Sequence, residues 1–123
     1  MRVLVVEPEQ RPEEREIEDS LNAMQGIVGG LIQPIYLENS VVLVCNDEGK
    51  LLDLPANRGL RDENGQLCNI VFGTFFLCNA LPDSDHFTSL TSEQIEQYRE
   101  RFYTPEMFWG MDGCIVCLPL EVD

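Results

Sequence analysis

Cys114-Ile-Val-Cys117 has the C-x-x-C spacing with which two thiolates grip one zinc ion or exchange a disulfide. A zinc site needs two more ligands, yet the chain has no second C-x-x-C and no H-x-x-x-H. The pair also lies in an apolar run that reads as a strand, where residues three apart point to opposite faces, so buried structural thiols are the favoured reading over a metal pair. His86, the only histidine, stands among Asp83, Ser84 and Asp85. Triads are recognised by geometry and not adjacency, and no nucleophile elbow accompanies this cluster, so it reads as a loop. No catalytic set is legible, no cofactor is expected, and the chain reads as non-enzymatic.

Two other groups of residues suit binding. In Pro55-Ala-Asn-Arg-Gly59 an arginine follows a short expected strand, and Arg61 follows two residues later. Asn57, Arg58 and Arg61 together could grip a carboxylate or phosphate, since arginine offers a bidentate fork. The structural alternative is that Arg58 pairs with Asp53, Asp62 or Glu63 while Asn57 caps a turn. Phe108, Trp109 and Met111, beside Gly110, are of the types enriched in interface cores, and they suit a partner or oligomer surface as well as core packing.

The charge narrows the choice of partner. Eight Lys and Arg against 22 Asp and Glu give 8 − 22 = −14, and Lys50 is the only lysine. Phosphate backbones and anionic membrane surfaces would be repelled, so no direct nucleic-acid or membrane binding is expected. Basic proteins, cations or small ligands remain, although acidity also serves solubility alone. The five cysteines are odd in number and mostly embedded in apolar runs, which fits reduced thiols and a cytoplasmic location. Met1 to Val6 is too short for a signal peptide and no apolar stretch reaches the ~20 residues of a membrane span.

The elements that would position these residues are well punctuated. At 123 residues the chain fits a single domain, 1–123. Arg2 to Val6 reads as a strand. Pro12 to Val28 reads as a helix, with Ile17, Leu21, Met24, Ile27 and Val28 on one stripe and Gly29-Gly30 as its stop. Leu31 to Glu38 and Val41 to Cys45 read as strands joined at Asn39-Ser40. Asn46-Asp-Glu-Gly49, with a left-handed closing residue, would then return Leu51 to Leu54 beside the second of them. Asp62-Glu-Asn-Gly65 is a second turn before the apolar run Leu67 to Cys78, which Gly73 bends or divides. Thr91-Ser-Glu-Gln94 is a capping box, with Leu90 and Ile95 as staple and Ile95, Tyr98 and Phe102 as buried stripe. Met107 to Met111 reads as a connection to a last edge strand, Cys114 to Leu118.

Several of these runs carry a resemblance. Met24-Gln-Gly-Ile-Val-Gly-Gly30, Val44-Cys-Asn-Asp-Glu-Gly-Lys50, Leu54-Pro-Ala-Asn-Arg58, Gly73-Thr-Phe-Phe76 and Asp85-His-Phe-Thr-Ser-Leu-Thr91 together resemble the domain-of-unknown-function family number 3846. The likeness runs from Val3 to about Phe108 and leaves residues 109–123 as a C-terminal extension. It implies a setting among gut Firmicutes, their conjugative elements and phages, and brings no established catalytic residues.

The expected architecture is α+β: a mostly antiparallel sheet of four to six strands with two helices packed on it. The expected function is an interaction protein, an acidic accessory or anti-defence factor of a mobile element or phage that binds a basic host protein. DNA mimicry would need carboxylates at phosphate-like intervals, about one charge per 1.7 Å of axis. The acids here are dispersed instead. The alternative is a small anionic ligand, such as a nucleotide or signal molecule, held by Asn57, Arg58 and Arg61. A homo-oligomer is compatible with either.

Overall fold

The computed structural model describes residues 1–111 and 113–120, with Met111 described by its backbone alone. Its centre is a five-stranded antiparallel sheet in the order β2-β1-β7-β4-β3, built from β1 (Arg2–Val6), β2 (Glu13–Glu16), β3 (Ile32–Tyr36), β4 (Val41–Asn46) and β7 (Phe75–Asn79). Two helices, α1 (Leu21–Val28) and α2 (Ser92–Arg101), complete the expected α+β arrangement.

The sheet buries both faces because its central strands alternate two apolar sets. Leu4, Val6, Leu43, Phe75 and Leu77 point to one side, where α2 contributes Ile95 and Tyr98. Val3, Val5, Val42, Val44 and Phe76 point to the other, which α1 covers with Val28, Met24 and Ile27. A continuously apolar strand is what such double coverage requires. The capping box forms as read: Thr91 Oγ1 accepts the Gln94 amide at 3.2 Å and Gln94 Oε1 accepts the Thr91 amide at 2.9 Å. Gly29 takes the left-handed conformation (φ 81°) that stops α1.

Four expectations are corrected. The helix expected over Pro12 to Val28 is divided, for Glu13–Glu16 pairs antiparallel with β1 and only Leu21–Val28 is helical. Here β1 needs a neighbour for its outer edge, and Ser20, whose hydroxyl accepts the Ala23 amide at 3.1 Å, starts the helix later. Ile17 still reaches the α1 core from outside the helix. Leu51 to Leu54 forms no strand, its first three residues being an exposed turn and Leu54 half-buried, because the edges of β4 are taken by β3 and β7. Gly49 is absent from the left-handed residues; a Cβ there would stand 2.7 Å from the Phe72 carbonyl oxygen, so close backbone approach is what requires glycine.

The third correction concerns the expected loop after Pro55, which is strand β5 (Ala56–Arg61), paired with β6 (Leu67–Phe72) through the Asp62–Gly65 turn. A register shift between Ala56 and Arg58 lets Asn57 and Arg58 both turn inward. Fourth, Met107 to Met111 is no mere connection: Glu106–Met111 forms β8, which pairs with β9 (Cys114–Pro119) in a two-stranded ribbon lying against β5. Among the described residues no helix is long and apolar enough to cross a membrane.

Candidate functional site

Asn57 and Arg58 lie inside the protein, at 0% and 1% exposure. Asn57 Nδ2 donates to the Val6 and Gly73 carbonyls, each at 2.9 Å, and so ties β5 to β1 and to the bend before β7. Arg58 donates to the Phe102 carbonyl from Nε (3.2 Å) and Nη2 (3.1 Å), to Asn57 Oδ1 from Nη1 (2.9 Å), and to the Gln10 carbonyl. Burial lowers its pKa to about 10, which leaves the guanidinium charged at neutral pH. Among the described residues no carboxylate is salt-bridged to it, so carbonyl dipoles solvate the charge, and Asp53, Asp62 and Glu63, the partners expected from sequence, are not used.

Arg61 differs from both: its strand ends at the surface, and its Nη2 meets Glu106 Oε2 at 2.6 Å. Glu106 also accepts the Gly59 amide on Oε1 at 3.0 Å and the Cys117 thiol on Oε2. Burial raises the pKa of Glu106, but the donors Arg61, Cys117 and Gly59 outweigh it and hold the carboxyl below the usual range. Burial and then the Glu106 carboxylate push the Cys117 thiol up, against the pull of Arg61. A thiol raised in this way is a hydrogen-bond donor and no nucleophile. Cys114 is exposed and stands opposite Met111 in the ladder, so the two C-x-x-C sulfurs serve different surroundings. Among the described residues no three His, Cys, Asp or Glu side chains stand close enough together to hold a metal ion.

Around this pair opens a cleft of about 650 Å³, between the end of β3, the β5–β6 turn, the end of α2 and the start of β8. Its charged lining is Glu38, Arg61, Asp62, Glu63, Arg101 and Glu106. Both arginines are already matched, Arg61 to Glu106 and Arg101 to Glu38 at 3.2 Å. Two cations against four carboxylates leave 2 − 4 = −2, carried by Asp62 and Glu63. Asp62 Oδ1 accepts the Asn64 and Gln66 amides, whereas Glu63 is exposed at the tip of the turn.

The remaining candidates are scattered. Phe108 is half-buried on β8, Trp109 is 55% exposed, and the Met111 side chain lies outside the described residues. Ser84 Oγ and Asp85 Oδ1 both contact His86 Nδ1, at 3.2 and 3.1 Å, so a proton could not pass across the ring from one to the other. Sequence reasoning missed Glu38, Arg101 and above all Glu106. An isolated glutamate after Thr-Pro carries no pattern that would single it out.

A family model described as a domain of unknown function, DUF3846, matches residues 1–103, and the chain belongs to that family. The match stops short of β8 and β9. No curated protein matches the chain, and no solved structure does.

Proposed function

We propose that this member of the DUF3846 family is a non-enzymatic interaction protein whose acidic cleft meets a basic protein surface. The carrying observation is the cleft beside Arg61, where two arginines are matched within the fold and two carboxylates are left over. An anionic ligand entering there would have to displace Glu106 from Arg61 and would face Glu63. A lysine or arginine side chain would complete the charge. The net charge of −14 adds long-range steering of the same sign. In the setting that the family resemblance implies, an accessory or anti-defence factor of a mobile element or phage, the basic partner is a host protein.

The small-ligand alternative loses two of its three residues, because the donors of Asn57 and Arg58 are engaged by buried acceptors. Titration calorimetry with an arginine-rich peptide and with a nucleoside triphosphate separates the readings. The peptide is expected to bind, with affinity falling as salt rises. Glu63→Lys is expected to weaken it roughly tenfold, ~1.4 kcal/mol, while Glu96→Lys, on the exposed face of α2, has far less effect. Binding of the nucleotide but not the peptide, or equal losses in the two variants, would overturn the proposal.

A further inference from the structure

Two apolar depressions lie next to each other where the turn after β1, the start of β5 and strand β8 meet, and they share Pro8 and Pro55 as a common wall. The first, of about 460 Å³, is bounded beyond the prolines by Phe108 and Trp109 and by the carboxylates Glu9 and Glu106. The second, of about 320 Å³, is bounded by Ile27, Leu54 and Thr74. Trp109 is the only tryptophan of the chain and is 55% exposed. Pro55 is exposed as well. Of the two carboxylates, Glu106 is held by Arg61, whereas exposed Glu9 makes no ion pair among the described residues. Glu106 alone lines both this groove and the Arg61 cleft, so the two are separate surfaces.

We propose that this double groove docks a proline-rich segment of a partner protein in the polyproline II conformation, with an arginine of that segment set against Glu9. Three features select this occupant. Polyproline segments dock on aromatic-lined grooves and rise about 9 Å per three-residue turn, so prolines one turn apart can enter neighbouring depressions on either side of one wall. The wall itself disfavours an added strand: neither proline has an amide hydrogen, and the Pro55 carbonyl already accepts the Gly73 amide at 2.7 Å. A polyproline II segment needs no ladder, because its backbone stays hydrated while its rings pack on side chains. Charge then specifies the basic residue. An acidic segment would face Glu9 on a chain of net charge −14, whereas a guanidinium beside Glu9 meets a carboxylate without an ion pair. Docking at the Arg61 cleft rests on charge, while docking here rests mainly on apolar contact with Trp109 and the two prolines.

Titration with the capped peptide Arg-Pro-Leu-Pro-Pro-Leu-Pro, followed by the emission of Trp109, reads the docking directly. A saturable blue shift below about 1 mM peptide is expected. A control peptide with every proline changed to alanine keeps the arginine, and it should bind at least about tenfold more weakly. Calorimetry reads the variants. Trp109→Ala and Glu9→Lys, both at exposed positions, should each weaken the proline peptide by about tenfold. Glu63→Lys, which alters the Arg61 cleft, should leave it unchanged, so this proposal and the one for the cleft fail separately. The absence of a saturable shift, equal binding of the alanine control, or a Trp109→Ala variant that binds like wild type would each overturn the proposal. A loss in Glu63→Lys without a loss in Glu9→Lys would assign the peptide to the Arg61 cleft and overturn it too.

Discussion

Replacing Arg58 with Met tests whether this arginine holds the fold together or serves a ligand. Methionine keeps most of the aliphatic volume but offers no donor, so Phe102 O, Asn57 Oδ1 and Gln10 O each lose a charged hydrogen-bond donor. An orphaned buried acceptor costs about 1–3 kcal/mol, and three give roughly 3–9. Removing a buried guanidinium returns several kcal/mol of desolvation, because burial disfavours its charged form. The net loss is then about 3 kcal/mol. With urea slopes of about 1.5 kcal/mol per molar, the unfolding midpoint should fall by about 2 M. Arg58→Lys should lose nearly as much, since one ammonium cannot reach three acceptors on different elements while its charge stays buried. Urea curves followed by circular dichroism read both variants. An Arg58→Met protein with the wild-type midpoint would refute the reasoning and return Arg58 to the candidate ligand residues.

Three further outcomes are expected. Because the folded pKa of Glu106 is lowered, its stabilising contribution is complete above the ordinary carboxylate range and fades as pH falls through the folded value. The stability gap between wild type and Glu106→Gln should therefore narrow from neutral pH to about pH 3, and a constant gap would contradict the network. Gly49→Ala should lower thermal stability by about 1–3 kcal/mol, as the new methyl would press on backbone at Phe72; an unchanged melting temperature would show that the turn can move away. In dilute native protein a thiol reagent should find Cys68 and Cys114 quickly. Cys45 and Cys78, whose pKa burial pushes up to about 11 and about 12, should react only on unfolding, and fast reaction of either would disprove their burial.

Much of the fold was legible because local patterns specified it. The apolar runs of β1, β4 and β7 alternate between two cores, and the capping box of α2 lies within four consecutive residues, Thr91–Gln94. Strand β2 was illegible for the opposite reason: Glu13–Glu16 has no apolar alternation, and its conformation is set by the edge of β1. Strand β5 is similar. Its Asn57 and Arg58 read as polar loop residues, and their burial depends on carbonyls at Val6, Gln10, Gly73 and Phe102, all distant in sequence. Arg61 was found at the surface cleft, but its partner Glu106 lies 45 residues away, beyond the reach of any local window.

The arginines are largely engaged within the fold. Arg2 and Arg99 hold Glu14, Arg15 holds Glu13, Arg61 holds Glu106 and Arg101 holds Glu38. Arg58 is enclosed by carbonyls, and Arg11 lies 4.7 Å over the Tyr103 ring. Each exposed pair adds little stability, commonly under ~1 kcal/mol. Their joint effect is on what the surface presents. With the arginines occupied, carboxylates without an ion pair, among them Glu9, Glu48, Glu63, Glu93, Glu96 and Glu100, set the outward potential. Lys50, at the rim of another cavity, makes no ion pair among the described residues. At the Arg61 cleft, anion recognition would require breaking a pair already made, whereas a cationic surface meets carboxylates that have none.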